Sequence, residues 1–494
     1  MAVHTTDRGP RVLAIGIDAA EGSFVKRLIA EGSLPIMGAL ADQGEWRSVE
    51  AYAHLGSAAI WPTFVTGRTP EVHGVNADMQ WNPQRMEMAM PKRFRPMWAD
   101  GRTGPRVGTL DVPYAMPTGS PGSFEVCAWA PQWFREDPLT ATPESAAARL
   151  NALDSYPRFD DLGPPPPPTD DRVLERLCER NVAGIRLHAE LACGLIEEMR
   201  PDLAMVVFTE IHSAGHALWH TVEPSHRLYR KMPPVRTPAT GGIHQQMREV
   251  DDAIGRLLET APDAAVVVFA LHGMGAHGSR PSFLSPLLYE RGWAAPLATR
   301  MRNGGALARS ALATAKRRAP SWVRRRYHTV MPRQTVRRIA SKTMTAGLEW
   351  GRTRAFAFPV EQLGCVRLNL RGRERDGIVP KQDYQPIVDA LVSELGELKT
   401  TEGRPLVSRV IQGIAGGDPH PTLPDLVIHW TEDAYDPPYE LADSTVTSPA
   451  GGFHQTGTGR HLPAGFCIAR GLALPEGPIR GERLAAHLLE AAEG

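Results

Sequence analysis

Cysteine and lysine are scarce in this 494-residue chain, and no long hydrophobic run occurs. The five cysteines (Cys127, Cys178, Cys193, Cys365 and Cys467) are scattered without Cys-x-x-Cys spacing. A dispersed, odd-numbered set excludes a disulfide framework and fits reduced thiols. No stretch approaches about 18 consecutive apolar residues, so no membrane-spanning helix is expected. The opening residues, Met1 to Arg8, reach the first strand-like run without an apolar leader, which predicts a cytoplasmic protein. Net charge is missing too: Lys+Arg and Asp+Glu both number 55, so charge points to no nucleic-acid or membrane partner. Only seven cations are lysine against 48 arginine, which reads as the imprint of a GC-rich coding sequence. With 42% hydrophobic and 22% charged residues, wholesale disorder is excluded.

At roughly 150 residues per domain, the length allows about three domains or one large α/β core with insertions. Val12-Leu-Ala-Ile-Gly-Ile17 is a short apolar run ending at Asp18, as a strand buried on both faces requires. Leu203 to Phe208 leads in the same way to a polar turn and His216, and Ala264 to Ala270 leads to Leu271-His272-Gly273. Amphipathic stretches at about 171–199 and 243–260 precede these two runs. The alternation predicts an α/β fold, a doubly wound and mostly parallel sheet flanked by helices, with ligands at the carboxyl ends of the strands.

Two regions break the pattern. Pro164 to Pro168 is a stiff connector. Arg300 to Leu348 carries 13 Lys/Arg and no acid; it reads as a solvated helix face, with an anion-binding lid, an oligomer contact or a nucleic-acid patch as alternatives. Val366-Arg-Leu-Asn-Leu370 alternates like a strand with one wet face. The expected organisation is a core of 11–285 and 424–494, entered again at Leu426–Ile428, around a smaller inserted lobe at 286–423.

Asp18, His212, His216, His272 and His461 each follow a strand or lie in a Gly-rich loop. Each alone reads equally well as an ordinary polar loop residue; together, convergent imidazoles and a carboxylate suit zinc and neighbouring transition metals. Order and spacing narrow this further. The chain resembles the alkaline phosphatase superfamily, and within it the nucleotide pyrophosphatase/phosphodiesterase branch. The matching blocks are Ile15-Gly-Ile-Asp18; Ser57-Ala-Ala-Ile-Trp-Pro-Thr-Phe-Val-Thr-Gly67 followed by Pro70 and His73-Gly74; His212-Ser-Ala-Gly-His216; Leu271-His-Gly-Met274; and Gly459-Arg-His461.

The resemblance implies a metal-dependent hydrolase of small phosphate esters, diesters or nucleotides, working through a Ser57 phosphoryl-enzyme. Two ions about 4 Å apart clamp the attacking and leaving oxygens in such an enzyme. It assigns His212, His216 and His461 to one ion, Asp18, His272 and Ser57 to the other, and a phosphoryl-oxygen contact to Asn76. Two positions depart from the pattern: His212 stands where the branch has Asp in Asp-x-x-Gly-His, and Leu271 where it has Asp in Asp-His-Gly-Met. Glu210, His277 or His454 are candidates to replace the lost carboxylate. The expectation is zinc, one ion tight and a second weak or absent. Leu271→Asp should raise the content toward two, provided the pocket has not repacked around the leucine. Transfer of a phosphoryl or sulfuryl group, or ligand binding without turnover, are the alternatives that Leu271 favours; self-association is left open. Trp61, Trp129, Trp133 and Trp219 are candidates for lining a ring-binding pocket or for ordinary core positions.

Overall fold

All six residues of Val12–Ile17 are buried in the computed structural model because the strand is covered on both sides. Leu13, Ile15 and Ile17 enter the hydrophobic cluster on one face of the sheet; Val12 and Ala14 enter the cluster on the other. Side chains alternate across a strand, so a doubly covered strand needs an unbroken apolar run. The structure describes residues 9–99, 104–120, 122–130, 139–153, 171–229, 241–277, 281–297, 347–360, 362–412, 419–448 and 457–493. The proline run and residues 300–346 of the basic segment lie outside these ranges.

The central sheet has nine strands in the order Ile479–Arg480, Glu45–Glu50, Ala464–Arg470, Ala265–Ala270, Val12–Ile17, Leu203–Phe208, Val107–Leu110, Glu125–Cys127 and Thr140–Thr142. Val12–Ile17 pairs in parallel with both neighbours. Ala464–Arg470 runs antiparallel to both of its own, and Thr140–Thr142 is antiparallel at the far edge. Helices Gly22–Ala30, Pro35–Gln43, Asp171–Met199 and Gly242–Thr260 cover one face. Ile60–Thr66 and Gly481–Glu493 cover the other. The long helices form where the periodicity places them: Met247, Val250, Ile254 and Leu257 are buried along one stripe of Gly242–Thr260. This is the doubly wound, mostly parallel α/β architecture expected. Among the described residues, no helix is long and apolar enough to cross a membrane.

A second, four-stranded antiparallel sheet has the order Ala355–Val360, Leu363–Leu368, Leu426–Trp430, Val407–Gln412. The expectation that Leu426–Ile428 returns to the core is not met. That strand lies inside the small sheet, Val427 opposite Cys365 and Ile411. A three-residue apolar run carries no record of which sheet it joins; only pairing decides it. The wet face expected for Val366–Leu370 is also absent, since Arg367 and Asn369 are both fully buried. Arg367 donates to Glu374 Oε1 at 2.7 Å and to the Pro421 carbonyl at 2.6 Å. Asn369 donates to the Trp350 and Thr353 carbonyls. Alternation marks which side chains are polar, and here internal partners replace water.

The small sheet grips the core near Ser57. His429 Nε2 donates to the His54 carbonyl at 2.7 Å, and Thr422 Oγ1 donates to the Gly74 carbonyl at 2.8 Å. Leu423 packs on Leu55.

Candidate active site

Three adjacent parallel strands end at the same edge, and each delivers a polar residue there. Asp18 follows Val12–Ile17 and is 2% exposed. Leu203–Phe208 runs into the helix Glu210–Leu218, where His212 and His216, four residues apart, share one face. His272, 2% exposed, lies two residues beyond Ala265–Ala270. His461 arrives from far along the chain on a two-stranded ribbon, Gly273–Ala276 with Gly459–Leu462, in which it stands opposite Met274. Gly459 admits no side chain, because a Cβ there would lie 2.2 Å from the Gly215 carbonyl oxygen. That close approach brings the ribbon against the helix bearing His216.

The three ring nitrogens then converge. His212 Nε2 lies 3.0 Å from His216 Nε2 and 2.9 Å from His461 Nε2. Among the described residues, these three form the one set whose ligand atoms all lie within 4.8 Å of one another. The other nitrogen of two rings is committed. His216 Nδ1 sits 3.0 Å from the Gly459 carbonyl, which only accepts, so Nδ1 carries the hydrogen. His212 Nδ1 lies 2.7 Å from Asp18 Oδ2. Burial works to raise the Asp18 pKa, but His212 and His272 outweigh it and hold the carboxyl well below the usual range, so it accepts from His212. Both Nε2 atoms therefore present lone pairs to one point, an arrangement a cation resolves. Zinc–nitrogen bonds of about 2.0–2.1 Å set tetrahedral ligand nitrogens about 3.3 Å apart, close to what the chain provides. The residues fit a divalent transition metal.

Ser57 begins a short 3-10 turn, Ser57–Ala59, that continues into Ile60–Thr66. Gly56 before it has φ 133°, and a Cβ there would lie 1.9 Å from the Asn76 carbonyl oxygen, so only glycine makes this turn. Asn76 is fully buried; its amide donates to the Leu55 carbonyl at 3.1 Å and accepts from Gln80 Nε2 at 3.1 Å. The structure thus sets Asn76 beneath the Leu55–Ser57 turn. Trp61, four residues after Ser57, donates from Nε1 to Asp18 Oδ1 at 2.9 Å and packs against Phe64 and Phe269. Sequence reasoning missed this link, because it joins residues 43 positions apart and no local pattern marks it.

Trp129 and Trp219 are core aromatics, edge-on to His188 and Phe24; Trp133 and His454 lie outside the described residues. Glu210 faces the buried His188 at 3.5 Å, and His277 packs beside Tyr435. Neither belongs to the three-histidine set.

His73 holds the segment after Ser57. Its Nδ1 accepts from Val75 N at 3.2 Å and its Nε2 lies 3.0 Å from Thr63 Oγ1. Burial, helped by His420, pushes the imidazole down from its ordinary 6.5 to about 4. The folded state keeps it neutral, so its stabilisation is complete above about 6.5 and is lost as pH falls toward about 4. We expect His73→Gln to flatten the acid limb of a plot of Tm against pH; a limb as steep as the wild type's would contradict this role.

With the geometry in place, comparison with known proteins decides the family. The model of the family described as type I phosphodiesterase / nucleotide pyrophosphatase matches residues 12–443. The chain belongs to this family. Its members are metal-dependent phosphoesterases, and this chain is a phosphoesterase-class enzyme. No curated protein gives a significant match. Among solved structures, the phosphonoacetate hydrolase of Sinorhizobium meliloti 1021, in complex with phosphonoformate, is similar at TM-score 0.52 and 14% identity, over 98% of this chain and 96% of that one. The alkaline phosphatase PafA is similar at TM-score 0.51 and 11% identity, over 99% and 97%. These likenesses concern the fold.

In this type I phosphodiesterase family member, Leu271 is 1% exposed and belongs to the hydrophobic cluster that also holds Phe64, Trp61 and Phe269. The proviso attached to Leu271→Asp therefore fails: the pocket is packed around the leucine. An unpaired carboxylate buried there costs about 3 kcal/mol or more. The expected outcome is a lower melting temperature with no gain in bound metal, read by calorimetry and metal analysis; a second ion in the variant would contradict it.

Proposed function

We propose that the chain hydrolyses a small phosphodiester or nucleotide-type ester through Ser57, at a zinc centre made by His212, His216 and His461. The observation that carries this is the convergence of three Nε2 atoms beside Asp18, with Trp61, one turn beyond Ser57, hydrogen-bonded to that same aspartate. A serine hydroxyl is a poor nucleophile at its free pKa. A divalent ion held there supplies Lewis-acid stabilisation of developing negative charge and eases loss of the nucleophile's proton.

The chain's own groups do the rest. Ser57 Oγ attacks phosphorus; the Oγ–P bond forms, the bond from phosphorus to the leaving oxygen breaks, and the departing alcohol takes up the proton that the Ser57 hydroxyl gives up. Water then attacks phosphorus, the Oγ–P bond breaks, and Ser57 regains its hydrogen as the monoester leaves. His212 and His216, with their Nδ1 hydrogens fixed by Asp18 and Gly459, keep Nε2 as the donor atom throughout. Asn76 supports the Leu55–Ser57 turn, and through it the position of Oγ.

The test is turnover of bis(p-nitrophenyl) phosphate, quenched in acid and digested for mass spectrometry. A p-nitrophenyl phosphoryl group on the peptide containing Ser57 supports the reading. Turnover without any adduct, under conditions where release of the second product is slow, contradicts it. Product carrying an added alcohol in place of water would instead reveal a transferase.

A further inference from the structure

We infer that Asp18 and His272 do not hold a second ion but brace the three-histidine centre from outside, with Asp18 fixing His212 and Trp61 fixing Asp18. The inference rests on the metal-centre reading above. Three nitrogen groups already face the two Asp18 oxygens. Trp61 Nε1, which can only donate, lies 2.9 Å from Oδ1. His272 Nε2 lies 3.2 Å from the same oxygen. His212 Nδ1 lies 2.7 Å from Oδ2. A carboxylate offers about four lone-pair directions, and these contacts use three.

Charge argues the same way. Leu271 brings none, Glu210 is turned to His188, and the five site residues with Asp18 and four histidines contain a single carboxylate. Two dications a few ångströms apart repel strongly unless anions separate them, and one carboxylate is too few. The histidine at position 212 also makes a second cation unnecessary there. A carboxylate so close to Asp18 would need a cation between them, whereas an imidazole N–H is attracted directly. The result is a carboxylate hydrogen-bonded to the far nitrogen of a metal-binding imidazole, which fixes the tautomer and raises ligand basicity. Trp61 anchors that carboxylate from the helix that starts beside Ser57, so it is a positioning residue acting through Asp18.

The experiment titrates cobalt(II) into the full chain stripped of metal, following visible absorption and stoichiometry, with circular dichroism as the check on fold. The wild type should bind one cobalt with the intense absorption of a tetrahedral site. Asp18→Asn should bind one cobalt as well, about 10–100-fold more weakly. Trp61→Phe, which keeps the ring and the carboxylate but loses the N–H, should weaken binding in the same direction at unchanged stoichiometry, and it carries the test if Asp18→Asn does not fold. Two cobalt ions in the wild type, falling to one in Asp18→Asn, overturn the inference and leave the three-histidine centre standing. Wild-type affinity in Trp61→Phe overturns the bracing role. No cobalt in the wild type overturns both this inference and the metal centre it rests on.

Discussion

Ser57→Ala is expected to lower turnover of a phosphodiester by at least about 100-fold while metal content and melting temperature stay near wild type, because a covalent nucleophile has no substitute among its neighbours. Ser57 is half-buried at the head of a turn whose shape is set by Gly56 and by the buried Asn76, so the methyl group of alanine leaves the backbone undisturbed. The variant separates two roles that the geometry alone leaves joined. If the serine only assists binding, KM rises and kcat holds. If it carries the phosphoryl group, kcat collapses with little change in KM. A variant retaining more than about a tenth of wild-type kcat rules out covalent catalysis by this residue.

His216→Ala is expected to remove the metal and the activity together. The site offers three imidazoles, and the loss of one leaves two nitrogens, too few for a closed tetrahedral position. His216 is the informative choice because its Nδ1 faces the Gly459 carbonyl, whereas Trp61, His212 and His272 face the Asp18 oxygens, so all three remain in the variant. Metal analysis after gel filtration should give less than about a tenth of the wild-type content. Full metal retention would mean that the ion sits elsewhere.

Much of this site was legible because strands and turns announce themselves in sequence. A doubly buried strand must be continuously apolar, so Val12–Ile17 and Leu203–Phe208 stood out, and the residues just past them were candidates by position. His212 and His216 lie four apart on a helix, and geometry alone places them on one face. What the sequence withheld was contact between segments. Nothing local in Trp61 says that its indole faces Asp18, and nothing in Leu426–Ile428 says which sheet it completes. Arg367 and Asn369 looked like the solvent side of a strand because alternation reports polarity, while burial depends on the loop of residues 421–423 arriving from elsewhere. The substitution of histidine at 212 was visible as a departure. Its consequence, an imidazole hydrogen-bonded to Asp18 in place of a second carboxylate, needed coordinates.

The ribbon that brings His461 to His212 and His216 also sets a timetable for the protein's synthesis. A ribosome adds roughly 5–20 residues per second, and the ribbon's second strand, Gly459–Leu462, is followed at once by Ala464–Arg470, which fills the slot between Ala265–Ala270 and Glu45–Glu50. Until that stretch is made, the nascent sheet has a gap in its middle, and only two of the three converging imidazoles, His212 and His216, exist. A message truncated anywhere before the codon for His461 yields a chain that lacks the three-histidine convergence, however much of the rest is translated.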